Sequence, residues 1–113
     1  MKMAGKHDGM ALAERVRQAL AGKRRITEKR MMGGTCFLWR DHMLCGTAKP
    51  GFLFRVGPGQ YAKALARRGA SPMILGGRRS KGFVWVDPAA CDARTLRSWI
   101  VLAEGYVSTL PPK

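Results

Sequence analysis

The stretch Arg30-Met31-Met32-Gly33-Gly34-Thr35-Cys36-Phe37-Leu38-Trp39 constrains this chain more than any other, because a basic residue runs into an apolar segment through a pair of glycines. Glycine inside a strand-like pattern marks a bulge, a turn or a close backbone approach. The segment therefore reads as a strand, a tight backbone passage and a second strand, expected at the centre of an antiparallel sheet. A phosphate loop is the competing idea, but the G-x-G-x-x-G and G-x-x-x-x-G-K-[ST] spacings are missing and no helix follows directly. The glycine pair is read as structural.

The flanking sequence extends this strand region in both directions. Ile26 to Met32 suits a strand with one wet face, and Thr35 to Arg40 is dense in β-branched and aromatic residues. A short connection, Arg40-Asp41-His42, leads to Met43–Ala48, so these two strands make a hairpin. Lys49-Pro50-Gly51 is a turn signal, and Phe52–Val56 continues the sheet as a fourth strand. Upstream, Leu12, Val16, Ala19 and Leu20 recur at helical spacing and predict a helix from about Gly9 to Ala21, with Asp8 at its start and Gly22 at its stop. Downstream, Gln60 to Arg68 carries Tyr61, Ala64 and Leu65 as a short helix ended by Gly69. Met73–Leu75 and Phe83–Val86 are two further strands, separated by a glycine-rich basic loop from Gly76 to Gly82. Asp92 caps a last helix whose stripe is Leu96, Trp99, Ile100, Ala103, Tyr106 or Val107, and Leu110, and Pro111-Pro112 ends it. The order α-β(3–4)-α-β(2)-α predicts a two-layer α+β fold, an antiparallel sheet with helices on one face. One domain over 9–113, preceded by a flexible leader over 1–8, fits the length of 113 residues.

Charge is the unusual bulk property: 21 Lys plus Arg against 7 Asp plus Glu give a net of +14. Such an excess attracts polyanions, nucleic acid first, then an anionic membrane surface or an acidic protein. The densest basic segments are Lys23-Arg24-Arg25, Arg67-Arg68 and the trio Arg78, Arg79 and Lys81. Together on one face they would neutralise several phosphates in a salt-sensitive way. Each also has a plainer reading as a solvated surface, and no helix-turn-helix, zinc finger, RRM signature or basic zipper is present to read bases. Arg30 carries two readings of equal weight, a contact residue or a strut paired with Glu28 or a carboxylate of another strand.

The three cysteines, Cys36, Cys45 and Cys91, have neither CxxC spacing nor the even count of a disulfide framework, which points to a reducing cytoplasm. Cys36 and Cys45 are expected as small buried side chains that lie near one another if the hairpin register allows. His7 falls in the leader and His42 in a turn, where a histidine is expected to be a solvent-exposed bystander. No catalytic dyad, metal-ligand cluster or cofactor motif emerges, so neither an enzyme nor a cofactor nor a small-molecule substrate is expected. No run approaches membrane-spanning length. The expected partners are a protein or a second copy of the chain, with nucleic acid as the alternative.

Arg30-Met31-Met32-Gly33-Gly34 resembles the Arg-Met-Phe-Gly-Gly signature of the TfoX (Sxy) N-terminal domain family. Phe52-Leu53-Phe54-Arg55-Val56 is similar to that family's fourth strand, and Tyr61 through Met73 to its middle helix and exit. Lys81-Gly82-Phe83-Val84-Trp85-Val86-Asp87-Pro88 is similar to the edge leading into its final helix. The resemblance runs from about Met10 to Pro112. It implies a two-layer fold comparable to secretion chaperones and a link to the regulation of natural competence, in which full-length members act as transcriptional co-regulators. Those regulators carry a second, C-terminal domain, so this chain resembles a stand-alone N-terminal domain. Two departures stand out: Met32 replaces Phe, and Asp41-His42 stands where many members turn with Asp-Gly.

Overall fold

The computed structural model describes residues 9–112 apart from Met32. The expected leader, with His7 and Asp8, and the Met32 departure lie outside the described residues. The elements are α1 (Gly9–Ala19), β1 (Ile26–Met31), β2 (Gly34–Trp39), β3 (His42–Ala48), β4 (Gly51–Arg55), α2 (Tyr61–Leu65), β5 (Ala70–Leu75), β6 (Arg78–Val86) and α3 (Ala93–Val107). All pairings are antiparallel and the strands lie in the order β1-β2-β3-β4-β6-β5.

The apolar stripes foreseen for the helices are the ones that bury. Leu12, Val16 and Leu20 from α1 and its exit meet Leu96, Trp99, Ile100, Ala103 and Val107 from α3, and Ala64 from α2 joins the same core. The sheet answers with Phe37, Leu44, Cys45, Phe52, Phe54, Val84 and Val86, so all three helices cover one face. Trp99 is fully buried and stacks on Phe54 at 5.3 Å between centroids. The α3 start is fixed by Asp92, whose carboxylate accepts from the Thr95 N–H at 2.8 Å, satisfying a donor the helix itself leaves unpaired.

A bulge tunes the core side of the hairpin. Phe37 pairs with Cys45 but Leu38 pairs with Met43, so Leu44 is an extra residue on β3. Both Leu44 and Cys45 then bury completely on the helix side. Cys36, opposite Gly46, points to the other face. The two cysteines are both buried, as expected, and lie on neighbouring strands with their side chains on opposite faces of the sheet.

Three expectations are corrected. The glycine pair sits near the rim of the sheet, because β1 is an edge strand: Thr27, Glu28, Lys29 and Arg30 are exposed and have no place between two strands of a core. The β2–β3 turn is Arg40-Asp41, with φ of 54° and 70°, a two-residue left-handed turn of the type I′ kind. His42 therefore begins β3 instead of ending a loop. The basic stretch from Gly76 to Gly82 is mostly strand: only Gly76-Gly77 turns, with φ of 57° and 80°, and Arg78 onward belongs to β6 opposite Leu75 and Ile74.

Candidate functional site

The face of the sheet turned away from the helices is apolar and uncovered. Register places Leu53 opposite Trp85, and Cys36 opposite Gly46, on that side. Cys36, Met43, Leu53, Met73, Phe83 and Trp85 line a groove of about 780 Å³ there. At its margin Ile74 and Leu75 are large apolar side chains left 52% and 49% exposed, an exposure that the interior of a small domain would normally absorb.

This wall is built by β5 and β6. β6 pairs with β4 only from Phe83 to Val86, whereas its pairing with β5 extends back to Arg78. The front half of the hairpin thus projects past the end of β4 as a two-stranded arm carrying Ile74, Leu75 and Ser80 to the groove. Arg78, Arg79 and Lys81 are exposed on the same arm.

The electrostatics of the groove are one-sided. Lys49 lines it, and Lys29, opposite Cys36, is close enough to pull against the burial that raises the Cys36 thiol. Arg55 lies 5.8 Å from the Phe83 ring and 5.6 Å from the Tyr106 ring. No carboxylate lines the groove among the described residues. The acids are engaged elsewhere: Glu14 and Glu28 hold Arg17, Glu104 pairs with Lys23, and Asp87 and Asp92 cap the turns that lead into α3. Asp41 lies in the β2–β3 turn.

The basic residues singled out from the sequence separate into two groups. Lys23 is a structural residue, paired with Glu104 and 4.3 Å from the Trp39 ring centroid. Burial, with the Arg40 charge second, pulls its pKa down despite that partner. Arg67 is half-buried, donates to Ser98 Oγ at 2.7 Å and covers the Trp99 ring at 4.2 Å, closing the core beneath it. Arg24, Arg25, Arg68, Arg78, Arg79 and Lys81 are exposed. Lys23-Arg24-Arg25 leads into β1, while Arg67-Arg68 and the arm adjoin β5, at opposite edges of the six-stranded sheet and five steps apart, about 24 Å at ~4.8 Å per step. The clusters do not meet on one patch.

Arg30 is exposed on β1 opposite Thr35, and Glu28 bonds Arg17 at 2.8 and 3.0 Å. Arg30 is not the strut of a buried carboxylate. Gly34 is the constrained member of the glycine pair: a Cβ there would lie 1.8 Å from the Thr47 carbonyl oxygen. His42 departs from expectation too, since it is buried and its Nε2 lies 2.7 Å from the Pro111 carbonyl oxygen. A carbonyl only accepts, so Nε2 is the donor and the ring ties the chain after α3 to the hairpin. Among the described residues, no group of three or more His, Cys, Asp or Glu is placed to hold a metal ion, and no helix is long and apolar enough to cross a membrane.

Sequence reading placed Arg78, Arg79 and Lys81 in a loop, where the structure has strand β6, and missed the groove beside them. The signal was present in Phe52-Leu53-Phe54, apolar at both strand parities, which is the pattern of a strand with apolar surface on both faces. Comparison with protein-family models finds a match to the TfoX N-terminal domain over residues 18–105. Comparisons with curated proteins and with solved structures return no match.

Proposed function

The chain belongs to the TfoX N-terminal domain family, and we propose that it is a regulatory interaction domain, acting by holding a partner protein on its open sheet face and not by catalysis. The family's link to competence regulation supports a regulatory setting. One observation carries the reading further: the helices cover one face of the sheet and leave an apolar groove of about 780 Å³ on the other, with Ile74 and Leu75 half exposed at its rim. Contiguous apolar surface of that kind is where soluble proteins bind others. The three buried, unbridged thiols support a reducing compartment such as the cytoplasm.

A photo-crosslinking amino acid at Leu75, on the groove margin, is the direct test, with Val101 as the control. Val101 is 65% exposed on α3, which packs on the other face. In living cells the Leu75 position forms a discrete protein adduct and the Val101 position does not. Equal yields from both, or no protein adduct from Leu75, would remove the reading. An adduct of twice the chain's mass would identify the partner as a second copy.

A further inference from the structure

Resting on that reading, we infer that the occupant of the groove is an acidic amphipathic helix of a partner protein, lying across the open sheet as a third layer. Three observations fix its chemistry. The floor is Leu53, Phe83, Trp85 and methionines, so the occupant presents apolar anchors. Lys49 lines that floor, Lys29 adjoins it across from Cys36 and Arg55 beside Phe83, Arg78, Arg79 and Lys81 are exposed on its arm, and no described carboxylate lines it. The flanks of the occupant are therefore anionic, because matching potentials set both encounter rate and partner choice. The edges of the sheet exclude an added strand: β1 presents a charged row, and β5 carries Pro72 next to a bulge before Ile74. With strand addition closed, an apolar face is covered by a helix, read as anchors at i, i+3, i+4 and i+7.

Other occupants fit less well. A second copy would bring two chains of net charge +14 face to face, rim against rim. A single nucleic-acid strand would find its phosphates matched. Its bases, however, would meet a floor of Met, Leu and half-buried aromatic side chains with few polar partners, leaving their edges desolvated and unpaired.

The test uses the full-length, isotope-labelled chain and a designed helical peptide of about five turns with Leu, Ile and Phe on one face and Glu on the others. On titration, the Trp85 indole and Leu53 amide resonances shift while the Trp99 indole, in the opposite core, stays in place. Two control peptides, a scramble of the same composition and a Lys-for-Glu version, bind at least about tenfold more weakly. The double variants Ile74→Glu with Leu75→Glu and Arg79→Glu with Lys81→Glu change only exposed side chains; each weakens the acidic peptide about tenfold. Absence of a Trp85 shift, equal binding by either control peptide, or single-stranded RNA moving Trp85 at a lower concentration overturns the inference. A protein crosslink at Leu75 together with such a result leaves the interaction-domain reading standing and discards the acidic helix. Loss of both discards the two together.

Discussion

Gly33 and Gly34 are adjacent in the sequence signature, and the structure gives them different physical duties that mutation separates. Gly33 has φ of 77°, and among the described residues nothing lies within 4 Å of an added Cβ. Ala at that position meets only the left-handed backbone penalty, about 1 kcal/mol. Gly34 carries no such conformational demand. An added Cβ would lie 1.8 Å from the Thr47 carbonyl oxygen and 2.9 Å from its carbonyl carbon, while ordinary carbon–oxygen contact needs about 3.3 Å or more. The obstacle is backbone, so β3 must shift by over an ångström where Thr35 pairs with Thr47. Opening that pairing costs about 1 kcal/mol per hydrogen bond, with lost packing in addition, about 2–4 kcal/mol in all. In urea, where small proteins lose about 2 kcal/mol per molar, Gly34→Ala lowers the unfolding midpoint by about 1–2 M and Gly33→Ala by roughly a quarter to a half as much. Gly33→Asn, which tolerates the left-handed region, falls closer still to the parent. Equal costs for the two alanine variants, or a larger cost at Gly33, would refute the division of duties.

Trp99→Ala removes the ring that Phe54 stacks on and Arg67 covers, and lowers stability by about 3–5 kcal/mol in chemical unfolding. Trp99→Phe loses less, since it also removes a buried indole N–H that has no hydrogen-bond partner among the described residues. Burial, opposed by Arg15, raises the Cys91 thiol to about 11, and burial raises Cys45 as well. The unfolded chain releases these protons from about pH 8.5, so the folded state binds more protons above that value and stability falls as pH rises from there toward 11. The fall approaches roughly 1.4 kcal/mol per pH unit for each such thiol, and Cys91→Ala has a shallower decline than the parent in urea midpoints between pH 8 and 10. An unchanged slope would contradict the burial argument. Arg67→Met costs about 1 kcal/mol of stability and leaves retention on a polyanion column unchanged. Replacing Arg78, Arg79 and Lys81 by Gln shortens that retention while moving stability by less than about 0.5 kcal/mol. The opposite pattern would place Arg67 on the surface.

The helices were legible because their information is local: Leu12, Val16 and Leu20, like Leu96, Trp99 and Ile100, recur at a spacing that only a helix turns to one side. The meander was legible for the same reason, from short apolar runs and turn residues. What escaped depends on partners far along the chain. Arg78 to Lys81 reads as loop because it is basic and bounded by glycines, and its strand conformation comes from pairing with Ile74 and Leu75. His42 reads as a turn residue, and its burial requires Pro111, 69 residues later. The open face has the same origin. Leu53, Phe83 and Trp85 were visible as apolar, but no local pattern states that three helices all settle on one side of the sheet.

The arm formed by the front of β6 and the end of β5 is joined to the rest at Gly82, whose carbonyl accepts from the Val56 and Gly57 N–H groups at 2.7 and 3.1 Å. With φ of 97° at that residue, Gly82 joins a ladder paired on both sides to one paired on a single side. One wall of the groove is therefore a two-stranded ladder, while its floor lies on strands paired on both sides. Backbone amides on the singly paired side are therefore expected to exchange with solvent earlier than those of β4, because fewer ladder hydrogen bonds must open to expose them.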